Sequence, residues 1–161
     1  MPHTIIHILV PGSDKNNAIS NANAALDQLV ESGDFAYYST GKQMHQKHIP
    51  DALKADTPEG KALIEQSFKS AREKFLENIE IVRSTLAMFT NNELLEADPG
   101  GKPDQEYHCR MFGSFCSDLG TDRGPGVKLY DEEGNGILAT KELDVVLKQA
   151  NMWLVTAEAH S

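Results

Sequence analysis

Residues 4–40, "TIIHILVPGSDKNNAISNANAALDQLVESGDFAYYST", decide the fold. The run Thr4–Val10 is apolar and β-branched apart from His7 and Leu9, as expected for a central strand covered on both faces. "PGSDKNN" breaks it, and Ser13 or Asp14 is placed to cap a helix. Ala18, Ile19, Ala22, Ala25, Leu26, Leu29 and Val30 then recur as a single helical stripe. Gly33 lies just past its end, where a left-handed terminator belongs. "DFAYYST" returns to aromatic and β-branched residues, so the chain opens β-α-β.

Downstream, residues 41–56 are polar and irregular, and Pro50 rules out a continuous helix or a central strand there. Thr57 followed by Pro58 is a strong helix start. Ile64, Phe68, Ala71, Phe75, Ile79, Val82, Leu86 and Phe89 follow at steps of three and four, which predicts one amphipathic helix over residues 58–90. Such a helix is about 50 Å long, more than the width of a domain this size. Its stripe therefore calls for extra cover, and the expectation is a homo-oligomer. The opposite face, with Lys61, Glu65, Lys69, Glu73 and Glu77, is a solvated salt-bridge face.

Thr90 and Glu93 have capping-box spacing and start a short helix, "NNELLEA". Residues 98–106, "DPGGKPDQE", are a flexible loop by composition. The third section is expected to be β-rich, with "YHCRMFGSFC" as a strand, then "VKLY", a turn and "ILAT". The helix "KELDVVLKQA" leads to a final strand, "MWLVTAEAH". The expectation is a single α+β domain, 1–161, a mixed α/β layer with helices packed on one sheet.

Composition limits function. Hydrophobic residues make up 40 % and charged residues 24 % of the 161, as in globular chains. A net charge of −9 without basic clusters argues against non-specific nucleic-acid binding and against an anionic membrane surface. No apolar run is long enough to span a membrane. The first residues lack a basic region and read as a strand, not a signal peptide. Cys109 and Cys116 are then expected as free thiols in the cytosol.

Asp131, Glu133, Asn135, Gly136 and Glu142 nearly spell a calcium-binding EF-hand loop. The exiting helix is adequate, but "RGPGVKLY" cannot supply the entering one, and position 3 holds Glu where Asp or Asn is usual. A β-hairpin turning at Asn135-Gly136 accounts for the same residues.

Two constellations remain as candidate sites. Gly12, Ser13 and Lys15 follow the first strand, where an α/β protein places an anion against helix-terminal N–H groups. Arg110 and Arg123, among glycines and prolines, offer planar donor forks to carboxylates or phosphates. His7, Glu158 and His160 form the second set, with His45 and His48 from the loop as further metal-ligand candidates. They converge only if the first and last strands are neighbours. No G-x-S-x-G elbow is present, and Tyr37, Tyr38, Tyr107 and Tyr130 are placed for sheet packing.

The leading expectation is a non-enzymatic, cytosolic, oligomeric protein binding a small anionic ligand, such as a nucleotide, or a protein partner. A prokaryotic or phage accessory protein would have this character. The alternatives are a metal-assisted hydrolase using the His/Glu cluster and an interaction module built on the long helix.

Overall fold

The computed structural model describes residues 3–120 and 126–161. Strand β1 (His3–Pro11) and helix α1 (Lys15–Glu31) follow the sequence pattern closely. The Asp14 carboxylate caps α1 by accepting from the Asn17 amide at 2.8 Å. Ala18, Ala22, Ala25, Leu26 and Leu29 of α1 are buried against Ile6, Ile8 and Val10 of β1. Burying each large side chain of that set contributes about 1.5–3 kcal/mol.

Strand β2 (Tyr37–Thr40) comes next, then a short strand β3 (Ala52–Lys54) inside the segment expected to be irregular. Helix α2 runs from Pro58 to Met88. Thr57 opens it, its hydroxyl accepting from the Gly60 amide at 3.1 Å and donating to the Lys54 carbonyl at 2.7 Å. Helix α3 (Asn91–Glu96) has the anticipated capping box between Thr90 and Glu93.

The third section departs from expectation. "YHCRMFGSFC" is not a strand but two helices, α4 (Glu106–Arg110) and α5 (Phe112–Gly120). Cys109, Phe112, Cys116 and Leu119 recur at steps of three, four and three, a helical period, and the run holds no β-branched residue. The segment 98–106, expected as a loop, is turns followed by a single 3-10 turn over Pro103–Gln105 that leads into α4.

Strand β4 (Leu129–Tyr130) is two residues long, and the hairpin after it shrinks to one bridge between Tyr130 and Gly136. Its turn is closed by Asp131 N–H to the Asn135 carbonyl, with Gly134 at φ 78° supplying the left-handed residue. Asn135-Gly136, the expected turn pair, lies one step beyond. Helix α6 (Thr140–Leu147) and strand β5 (Met152–His160) complete the described elements.

All five strands form one mixed sheet of order β2-β5-β1-β4, with β3 also paired to β5. The contact of β1 with β4 is parallel; β5 is antiparallel to β1, β2 and β3. The class is α+β, as expected.

The chain divides into two compact units, residues 1–71 with 127–161, and residues 72–126. The first unit holds the sheet, α1 and α6, and the second holds α3, α4 and α5. Helix α2 contributes its first part, through Ala71, to the first unit and its remainder to the second. Of the stripe, Ile64, Ala71 and Phe89 are buried, Phe68, Phe75, Ile79 and Val82 are half-buried, and Leu86 stays 54 % exposed. Among the described residues, no helix is long and apolar enough to cross a membrane.

Candidate functional site

The first unit contains a cavity of about 560 Å³ where β1 ends and β5 begins. Backbone bonds build its floor: the Gly12 amide donates to the Asn151 carbonyl at 3.0 Å, and the Ala55 amide to the Met152 carbonyl at 3.0 Å. The indole N–H of Trp153 donates to the Gly12 carbonyl at 2.9 Å, which fixes the ring as one wall. Phe68 and Ile64 from α2 and Leu143 and Leu147 from α6 supply the others. Ile64, Phe68 and Leu143 also pack in the core beside Leu9, Leu129 and Leu154.

Charge enters at the rim. Lys54, at the end of β3, holds its ammonium 5.8 Å from the Trp153 ring centroid. Lys61 and Glu65 lie one turn apart on α2, and Asp56 precedes that helix. Among the described residues, Lys61, Glu65 and Asp56 are in no ion pair. The site therefore pairs an apolar interior with two ammonium and two carboxylate groups.

Gly12 and Ser13, expected to hold an anion, do line this cavity. Their backbone donors are committed elsewhere, that of Gly12 to Asn151 and that of Ser13 to the Asn17 side chain at 3.0 Å. Lys15 pairs with Asp51 at 2.6 Å instead. A phosphate held by these three groups would have to displace all three bonds. Arg110 belongs to the second unit, where it pairs with Glu106 at 2.6 Å one helical turn away. Arg123 lies outside the described residues. Sequence reasoning missed Lys54, Phe68 and Trp153. These three sit in separate segments, and each looks like an ordinary strand or helix residue.

The first and last strands are neighbours, so His7, Glu158 and His160 do share one sheet face. Across β1 and β5, His7 is paired with Thr156, Ile5 with Glu158, and His3 with His160. Each of the three nevertheless has its own surroundings. His7 is buried, its Nδ1 hydrogen-bonded to Thr156 Oγ1 at 3.0 Å. Burial, with Lys128 nearby, lowers its pKa to about 4.

Glu158 is 1 % exposed and accepts from the amides of His45 at 2.9 Å and Gln46 at 2.6 Å. Its Oε2 also meets His45 Nδ1 at 3.0 Å. Burial pushes the carboxyl up, but these donors outweigh it and hold the pKa at about 2. His160 is buried and stacks on Tyr37 at 4.3 Å between ring centroids; among the described residues, neither ring nitrogen has a hydrogen-bond partner. Among the described residues, no three His, Cys, Asp or Glu side chains are gathered closely enough to hold a metal ion. The expected metal triad is thus one sheet face but not one coordination site. The loop that nearly spells an EF-hand, expected as a hairpin turn, uses its end carboxylates as local caps. Asp131 accepts from the amides of Glu133 and Asn135, and Glu142 from that of Leu138.

The chain belongs to a family described as a domain of unknown function (DUF7995), whose model matches residues 2–161. No curated protein and no solved structure matches it.

Proposed function

We propose that this protein binds a small organic molecule with an apolar body and a single carboxylate head. The observation that carries this reading is the cavity of about 560 Å³ between β1, α2, α6 and β5. Its size lies within the range of small-molecule sites, and its apolar walls with a few polar groups match their usual make-up. Lys61, in no ion pair among the described residues, is the group suited to a carboxylate. Asp56 and Glu65 on the same rim disfavour a multiply charged anion. The donors of Gly12 and Ser13, already committed to Asn151 and Asn17, are two contacts that a phosphate there would not find free. A monocarboxylate therefore fits better than a nucleotide.

The chain has one tryptophan, Trp153, and it lines this cavity. Its fluorescence is a direct reporter in titrations with aliphatic and aromatic monocarboxylates, the corresponding amines, and a nucleotide. The expected result is a saturable change with carboxylates that Lys61→Gln weakens by about ten-fold, as for loss of one charge-assisted hydrogen bond. A response to amines alone, or to none of the panel, overturns the proposal.

A further inference from the structure

Glu158 makes one contact that its structural role does not require. Its two backbone bonds, from the His45 and Gln46 amides, already fasten residues 45–46 to the sheet. The His45 imidazole adds a third bond through Nδ1 at 3.0 Å, yet its side chain remains 81 % exposed. A ring left in solvent adds little packing. What the contact does accomplish is to fix the imidazole's orientation and tautomer. An ionised carboxylate only accepts, so Nδ1 carries the proton and Nε2 keeps its lone pair. Turned away from the carboxylate, Nε2 is left as a nucleophile on an exposed ring.

We propose that His45 is a phosphoryl acceptor, with Nε2 as the attacking atom and Glu158 as its positioning residue. This proposal stands independently of the cavity and its ligand. The same loop carries Lys42 and Lys47, whose positive charge favours an anionic donor over a neutral acyl compound. The donor class is a small activated phosphoryl compound, for which phosphoramidate is the probe. In the step, the Nε2 lone pair forms an N–P bond as the donor's P–N bond breaks and ammonia leaves with its own protons. The Nδ1 proton stays on the ring, and the Glu158 carboxylate offsets the positive charge the imidazole acquires. Because Glu158 remains ionised at neutral pH, the product is a labile phosphoimidazolium able to pass its phosphoryl group on or lose it to water.

The test is phosphorylation of the full chain by phosphoramidate, followed by intact mass and peptide mapping. His48 is the internal comparison, an exposed imidazole in the same loop. The expected result is one acid-labile phosphoryl group on His45, gained at least about ten-fold faster than on His48. His45→Asn abolishes it without loss of fold, and His48→Asn leaves it unchanged. Nitrogen NMR of the ring reports the tautomer without any reaction, and Glu158→Gln is expected to release it. Equal labelling of His45 and His48, or a His45 ring protonated on Nε2 in the neutral form, overturns the proposal.

Discussion

His7 offers a quantitative test of the sheet's buried face. In the folded chain its pKa is about 4 against 6.5 for a free imidazole. Between those values the unfolded chain binds a proton that the folded chain refuses, so stability falls as pH drops through the window. From about pH 7.5 to about pH 5, the two values give a loss of about 2 kcal/mol. By about pH 4 the loss approaches its limit of about 3 kcal/mol. Glu158 is shifted in the same direction but lower on the scale. Its contribution is complete above 4.5 and is lost as pH falls toward about 2, so it leaves the upper window clear. The assay is urea denaturation of the wild type and of His7→Gln at about pH 7.5 and about pH 5. Glutamine keeps a partner for the Thr156 hydroxyl but does not titrate, so the variant's loss is expected to be smaller by about 2 kcal/mol. Equal losses in the two proteins would refute the reasoning, as would a His7 imidazole that titrates near 6.5.

Two further perturbations test local geometry. A Cβ on Gly60 would stand 2.1 Å from the Lys54 carbonyl oxygen, a backbone atom that cannot step aside, so Gly60→Ala is expected to cost about 1–3 kcal/mol in thermal melting. Gly113→Ala in α5 is the control: nothing lies within 4 Å of its added Cβ, and a gain of about 0.5–1 kcal/mol is expected. Equal effects at the two glycines would count against the close approach. Thr90→Ala removes the hydroxyl that accepts from the Glu93 amide at 3.2 Å and is expected to lower stability by about 1 kcal/mol. Thr90→Ser should recover most of it, and a Thr90→Ala protein as stable as wild type would show the cap to be idle.

The sequence disclosed elements wherever local chemistry and long-range packing agreed. The stripe of α1, the Thr57-Pro58 start of α2 and the capping box at Thr90 are local signals, and the fold uses each as it stands. Tyr107 to Cys116 read as a strand because aromatic and sulfur side chains suit either a strand or a helix, and only the three–four–three spacing from Cys109 to Leu119 distinguishes the two. The turn after Tyr130 holds two glycines, and the backbone takes its left-handed residue at Gly134 rather than Gly136. The cavity was the least legible feature. Trp153, Lys54 and Phe68 meet only after β3 and β5 pair and α2 packs beside them, and no window of sequence contains all three. The His45–Glu158 contact spans 113 positions and was equally hidden, although the shared face of β1 and β5 made Glu158 a candidate.

Strand β5 joins β1, β2 and β3 in the sheet, and it is the last of the four to be synthesised. During translation the three earlier strands emerge long before the partner they have in common. The second unit, by contrast, is one continuous stretch of chain, residues 72–126, and all of it precedes β5. A ribosome that stalls before Met152 therefore exposes an apolar β1 with one edge unclaimed, together with two short strands that have nothing to pair with. For this chain, the interval between making β1 and making β5 is when three strands wait for their common partner.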